Sequence, residues 1–408
     1  MKRGNCRLCG STSLTKFLEL GPQPLAGKFL KPEQASAKED FFPLGVHFCN
    51  ECGLVQVLDV VPKDKLFSEY FYAPHSLLSP HFTEYAKHVK EEFALGEGSL
   101  VVEIGSNIGM MLKPFKDLGI KAVGVEPAKN IADSANGLGL ETVNDFFTEK
   151  VALDIAKRLG KADVIVANNV FAHIDDLEEI MRGIKALLKD DGVYIFENHY
   201  LVDTLEKMQY DDIYHEHLCY YSLHPLLPFF ERHGMQVFDA KRINTHGGSI
   251  RVYCGNQDRE VSSRVQELLL MEKKLGVDRL ETFEEFGRNV ERHKAELVAM
   301  LKSLRGKGKT IVGYGAPARG NTLLNYCRIG KDTLEFIIDD SPLRQGKLTP
   351  GTRIPIYSVE RFREKRPDYA FLLAYGGYTE SILKKEQAYI GKGGRFIIPL
   401  PKIKVVPE

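Results

Sequence analysis

The stretch Val101–Leu112, VVEIGSNIGMML, decides the fold. A short β-branched run ends in an acidic side chain, turns through Gly105 and Gly109, and re-enters an apolar stretch of helical character. That is the strand–turn–helix opening of a parallel α/β unit. The spacing Glu103-x-Gly105-x-x-x-Gly109 departs from the Gly-x-Gly-x-x-Gly pattern that brings backbone onto a pyrophosphate. An acidic residue ahead of the turn suits a ligand with a cationic amino-acid end and no phosphates. The turn alone is a weak signal, because any α/β protein can carry one.

The downstream chain strengthens it. Further short apolar runs, KAVGVEP, DVIVANNV and GVYIFEN, read as parallel strands separated by helical stretches such as LEEIMRGIKALLKDDG. GVEPAKN ends the second strand with Glu126, where a carboxylate can take both hydroxyls of a ribose. NDFF offers Asp145 as acceptor for an adenine amino group and Phe146 as a flat apolar wall. The fourth strand opens at Asn168 into NNVFAHIDD. This ordered series resembles the class I S-adenosylmethionine-dependent methyltransferases. The resemblance implies Glu103, Gly105, Gly109, Glu126, Asp145, Phe146 and Asn168 as donor-binding residues.

Seven cysteines are unevenly placed. Cys6/Cys9 in CRLCG and Cys49/Cys52 in CNECG form two Cys-x-x-Cys pairs, each followed by glycine. Such a turn lets two thiolates grip one side of a tetrahedral ion, and two of them make a closed four-sulfur shell with no position for water. Twin knuckles argue for a structural zinc against a redox dithiol. A helix is expected over His81–Leu95, antiparallel strands at GMQVFDAKRI and GSIRVYCG, and one long charged helical region over Glu260–Arg305. From Lys309 a second α/β alternation begins with TIVGYG, LEFIIDD, YAFLLAYG and RFIIPL. Its TIVGYGAPARGNTLL joins strand to helix through glycines and could seat a nucleotide on the helix N-terminus. Pro317 and Ala318 displace the dinucleotide fingerprint, which favours a scaffold or substrate-nucleotide role over a second redox cofactor. The expected architecture is α/β in three parts. A zinc-knuckle domain spans residues 1–68, a class I methyltransferase Rossmann-like domain 69–258, and a second Rossmann-like α/β domain 259–408.

QYDDIYHEHLCYYS, Gln209–Ser222, concentrates acids, histidines and tyrosines. His-x-His can bind metal, but zinc is already provided for and His-Glu-x-x-His is absent. A polar structural loop is the plain alternative, and general acid/base chemistry beside the methyl donor is the third reading.

The zinc knuckles, the methyltransferase core, IYHEH with THGGS after it, and GYGAPARGNTLL stand in one order. That order is similar to the nucleotide-sugar C-methyltransferases, of the tetronitrose-type C-3'-methyltransferase kind, and the likeness spans essentially the whole chain. The resemblance implies that a nucleoside-diphosphate 4-keto-6-deoxy sugar is methylated on the carbon beside its ketone, with Cys6, Cys9, Cys49 and Cys52 holding Zn2+. Tyr214, Glu216 and His217 match the family's catalytic tyrosine, glutamate and histidine, and His173 its further histidine. His217 is the expected base and Glu216 its orienting partner, with Tyr214 or His173 at the enolate oxygen. Tyr72 and Ser76 of the serine-rich segment would contact the sugar. So would His246, Gly247, Gly248 and Ser249 of THGGS, the two glycines by letting backbone approach the ligand. Tyr314, Arg319 and Asn321 would help enclose the nucleotide. His215, between the tyrosine and the glutamate, departs from the family pattern, as does an apparent insertion in YFYAPHSLLSPH.

Lys+Arg and Asp+Glu balance at 55 each in 408 residues, and no arginine/lysine–aromatic stripe stands out, which disfavours an RNA-modifying methyltransferase. MKRGNCRLCG lacks the apolar core of a signal peptide and no run approaches a membrane span, so a cytoplasmic monomer without nucleic-acid or membrane partner is expected. The rivals are an O- or N-methyltransferase on a small metabolite and a non-catalytic nucleotide-sugar binder.

Overall fold

The computed structural model describes residues 2–67, 79–256 and 259–407. Three sheets organise them. The first is antiparallel and runs through β1 (Leu14–Gln23), β2 (Phe42–Cys49) and β3 (Val55–Val57). Its fourth strand comes from far downstream. β9 (Cys219–Tyr220) pairs with β3, Val55 opposite Tyr220 and Gln56 opposite Cys219. The loop carrying IYHEH is therefore stitched into the cysteine-rich domain.

The second sheet holds β4 (Leu100–Ile104), β5 (Lys121–Val125), β6 (Thr142–Val143), β7 (Ala162–Asn168) and β8 (Leu188–His199), with β10 (Gln236–Ile243) and β11 (Ser249–Gly255). Its order is β10-β11-β8-β7-β4-β5-β6, with only β11 antiparallel to its neighbours. Val101, Val102, Val164, Ile165 and Val166 are inaccessible to solvent, as central strands covered on both faces require. The strand order reverses between β4 and β7. The C-terminal ends of those strands open a crevice where ligands of such sheets sit.

The third sheet orders β14 (Ile356–Tyr357), β13 (Ile337–Ile338), β12 (Ile311–Tyr314), β15 (Tyr369–Leu372), β16 (Arg395–Ile398) and β17 (Lys404–Val406), all parallel except β17. Both α/β alternations read from sequence are thus parallel sheets, and the two expected antiparallel strands are β10 and β11. The helical region expected over Glu260–Arg305 consists of two helices, Ser263–Leu275 and Leu280–Gly306. Gly276 ends the first in the left-handed conformation (φ 71°), which a pattern search without a proline break overlooks.

The longer helix welds the domains together. Phe283, inaccessible to solvent, packs against Phe17 and Phe48 of the first sheet at 5.2 and 5.1 Å between ring centroids. Burial of one such phenylalanine contributes roughly 1.5–3 kcal/mol. Between β1 and β2 the chain reaches across to the third sheet. Leu30 and Leu348 exchange backbone hydrogen bonds, and Glu39 accepts from the Gly351 N–H. No helix among the described residues is long and apolar enough to cross a membrane.

Candidate active site

The cysteine-rich domain positions the loop that carries the histidines, through β9 and the His215 bond to β2. Gly10 and Gly53 donate their N–H groups to the carbonyls of Cys6 and Cys49 at 3.0 and 2.9 Å, each glycine at positive φ (75° and 80°). The four sulfurs lie within 4.8 Å of one another, with Cys6–Cys52 at 3.6 Å and Cys9–Cys49 at 3.5 Å. Around an ion at ~2.3 Å, tetrahedral sulfurs stand about 3.8 Å apart, so the set fits zinc and leaves no open position. A sulfur–sulfur hydrogen bond from Cys52 holds the Cys6 thiol down at about 5, while the same contact and burial push Cys52 up. Only a cation would let all four ionise together. Arg7, inside the first knuckle, ion-pairs with Asp175 at 3.0 Å and so anchors the domain beside the turn that carries His173.

In the crevice of the second sheet, Gly105 (φ 66°) and Gly109 (φ 82°) have no alternative. A Cβ on either would stand 2.4 Å from Val170 or from Leu140. Asn107 adopts the same left-handed conformation without being glycine, the kind of strain that gathers at binding sites. Glu103 is buried at the end of β4. Its Oε1 accepts from Asn168 Nδ2 at 3.3 Å, and its Oε2 and the Asn168 Oδ1 have no hydrogen-bond partner among the described residues. Burial pushes the Glu103 carboxyl well up. These orphaned acceptors fit a cationic amino group. Glu126 accepts the N–H of Asn107 (3.0 Å) and of Ala128 (2.9 Å), one on each oxygen, and both oxygens retain a lone pair for a vicinal diol. Phe146 is turned out of the core beside Asp145, whose Oδ1 accepts the Phe146 N–H, while Phe147 fills the interior. The crevice fits S-adenosylmethionine.

The histidines converge at the neighbouring strand ends. His217 Nδ1 is 2.8 Å from the backbone carbonyl of Asp212. A carbonyl only accepts, so Nδ1 carries the proton and Nε2 keeps its lone pair. Burial, with His199 and His173 nearby, holds the His217 imidazole well below its usual range and hence neutral. Ring centroids of Tyr214, His199 and His173 lie 4.1, 5.0 and 5.1 Å from that of His217. Burial alone holds His173 at about 4. Glu216 has no hydrogen bond or ion pair among the described residues, and burial raises it to about 7. Its expected task of orienting His217 is performed by the Asp212 carbonyl instead. His215 faces the other way. Its Nε2 donates to the Pro43 carbonyl at 3.1 Å and its ring packs edge-on to Phe42, which makes it a structural tie to β2.

Several expected sugar contacts are otherwise engaged. The space left by the missing Cβ of Gly247 is filled by Gln209 (2.4 Å) and that of Gly248 by Asp203 (2.0 Å), so these glycines admit neighbouring side chains and not a ligand. Ser249 is fully buried in β11 and hydrogen-bonded to Thr245. His246 (φ 50°) does border the cluster, 5.8 Å from His199. Tyr314 donates to Glu386 at 3.0 Å within the third domain's core. Asn321 donates to the Ala26 carbonyl at 2.7 Å, beside Gly27, where a Cβ would stand 3.3 Å from Glu216 Oε1. Arg319 forks onto Asp211 with two 2.8 Å bonds. Tyr72 and Ser76 lie outside the described residues.

His199, the last residue of β8, and the pair Asp211–Asp212 join the site without having been expected there. The signals are present in the chain: the carboxyl end of a parallel strand is where such sites form, and the two aspartates stand in the stretch that concentrates acids and histidines.

Comparisons with known proteins agree with this layout. Residues 244–401 match the family described as "C-methyltransferase C-terminal domain", 6–67 a "putative zinc binding domain" and 79–240 a "methyltransferase domain". C-methyltransferase NovU of Streptomyces niveus is 39% identical over 98% of this chain and 96% of its own. A ubiquinone biosynthesis O-methyltransferase of Rhodopseudomonas palustris is 26% identical over 24% of this chain and 39% of its own. The solved structure of the CcbJ methyltransferase from Streptomyces caelestis aligns at TM-score 0.35 and 16% identity, covering 47% of this chain and 94% of that one. That likeness is too distant to bear on substrate or chemistry.

Proposed function

The chain belongs to the C-methyltransferase family and performs S-adenosylmethionine-dependent C-methylation, and we propose that its acceptor is a nucleoside-diphosphate 4-keto-6-deoxy sugar methylated beside the ketone. The observation that carries the substrate class is a second nucleoside-type cradle built to the pattern of the first. In the third domain, Asp339 accepts the N–H of Ala316 (2.6 Å) in the glycine turn and of Ser341 (2.8 Å) two residues on, and Arg344 Nη1 adds a longer bond to its Oδ2 at 3.3 Å. Glu126 likewise accepts the N–H groups of Asn107 and Ala128. Gly315 (φ 82°) makes the turn, and its Cβ would stand 2.4 Å from Ala374. One carboxylate serves the donor's ribose, the other the sugar nucleotide's.

A sugar carbon becomes nucleophilic only when the adjacent ketone acidifies its C–H bond. His217 Nε2, unprotonated and held by the Asp212 carbonyl, takes that proton. The electron pair shifts to the ketone oxygen, where Tyr214 or His173 stabilises the charge. S-adenosylmethionine supplies an electrophilic methyl group. The enolate carbon forms the new C–C bond as the methyl–sulfur bond breaks, and the proton stays on His217 until solvent removes it.

The test is deuterium uptake from heavy water into candidate nucleoside-diphosphate 4-keto-6-deoxy sugars, with S-adenosylhomocysteine bound so that transfer cannot occur. Exchange beside the ketone that falls about 10²–10⁴-fold in His217→Asn supports the enolate and the base. No exchange with any candidate, at confirmed donor binding, would remove the 4-keto-6-deoxy sugar as the acceptor and leave C-methylation of another substrate.

A further inference from the structure

We propose that Arg319, in the first turn of a third-domain helix, is a positioning residue that holds the base of the second domain in its working tautomer. This rests on the reading of His217 as the base. Free imidazole in water favours the proton on Nε2, whereas the Asp212 carbonyl imposes it on Nδ1. That carbonyl belongs to a single 3-10 turn, Tyr210–Asp212, too short to be rigid by itself.

What fixes the turn is side-chain bonding from the third domain. Arg319 Nε and Nη2 fork onto Asp211 at 2.8 Å each, Nη2 also donates to the Tyr375 hydroxyl at 2.7 Å, and Nη1 lies 3.1 Å from Asp212 Oδ2. That last contact is an ion pair without hydrogen-bond geometry, since Asp212 Oδ2 has no bonded donor. Tyr375 hydrogen-bonds Asp211 from the other side, and the guanidinium lies over its ring at 4.7 Å. Tyr210 adds a third anchor, its hydroxyl donating to His293 Nδ1 at 3.0 Å. A planar fork on a buried carboxylate is directional as a lysine's point charge is not. The third domain therefore aims the Asp212 carbonyl at the imidazole without touching the reacting atoms.

The experiment uses the full-length, zinc-loaded protein with ¹⁵N-labelled histidine. Long-range proton–nitrogen correlation spectra report the tautomer of His217, whose signals are assigned by their absence in His217→Asn. Wild type should show the Nδ1–H form. Arg319→Gln and Arg319→Lys should both populate the Nε2–H form and slow deuterium exchange into the keto sugar about 10- to 100-fold, at unchanged affinity for S-adenosylmethionine. If neither arginine variant folds, Tyr375→Phe, which removes one bond to Asp211 and one acceptor of Arg319, should shift the tautomer in the same direction. An unchanged tautomer in folded Arg319→Gln, or in Tyr375→Phe where the former is lost, overturns the proposal. Retention of tautomer and rate in Arg319→Lys overturns it as well. A tautomer shift with undiminished exchange keeps the positioning link and removes His217 as the base.

Discussion

Lowering the pH should cost this protein stability through His173 in a window that can be calculated. Its imidazole is held at about 4, against an ordinary 6.5, because burial disfavours the charged ring. The folded-state value lies below the unfolded one, so the contribution is complete above pH 6.5, is lost progressively as pH falls, and is exhausted below about 4. Between pH 7 and pH 5 the unfolded state gains protons that the folded state refuses, a loss of about 2 kcal/mol. His173 retains some solvent exposure, which softens this towards about 1 kcal/mol. His173→Asn cannot titrate. Its baseline stability will differ, but its drop between pH 7 and pH 5 should be smaller than that of wild type by about 1–2 kcal/mol, the part of this pK shift that falls within that pH interval. The chain has no tryptophan, so urea unfolding at each pH is best monitored by far-UV circular dichroism. Of the other depressed histidines, His246 titrates alike in both proteins and cancels in the difference, while His217 and His199, each held down in part by His173, lose some of their depression in the variant and move the difference in the same direction. Equal losses in variant and wild type would show that His173 is not held neutral by its surroundings, and the account of an uncharged histidine cluster would fall with it.

The same geometry sets three further outcomes. Gly105→Ala should abolish donor binding by calorimetry while the protein remains folded, because the left-handed turn costs about 1–2 kcal/mol and its Cβ meets Val170 at 2.4 Å; normal affinity would refute the crevice as the donor site. Stripping zinc with a chelator should slow proton exchange more than it weakens donor binding, since β9 and His215 hang the catalytic loop on the zinc domain while Glu103, the glycine turn and Glu126 of the donor crevice stand at strand ends of the second sheet; an equal loss of both would refute that linkage. Gly248→Ala should destabilise by about 2 kcal/mol or more through collision with Asp203, read as a lower urea midpoint, and an unshifted midpoint would show that the turn can relax.

Residues whose role comes from backbone chemistry are legible in the chain. The knuckle glycines, the strand-ending Glu103 and Glu126, and the alternation of apolar runs act through local conformation, which spacing records. His217 is legible as a base candidate, but its partner is not. Backbone carbonyls carry no sequence signal, so nothing in QYDDIYHEH distinguishes an Asp212 carbonyl at 2.8 Å from a Glu216 carboxylate next door. Gly247 and Gly248 mislead for a related reason: a glycine pair announces close approach without saying what approaches, and here it is Gln209 and Asp203.

The sequence by itself determined two parallel α/β alternations, a four-thiolate zinc shell and a donor crevice at the head of the second sheet, because each knuckle, glycine turn and strand end is written in local spacing. Tertiary structure alone decided that a strand from far downstream completes the zinc domain's sheet, that His199 joins the histidine cluster, and that Arg319 reaches across to the turn beneath the base. Those pairings depend on which surfaces distant segments bury against one another, and burial between distant segments leaves no periodicity to read.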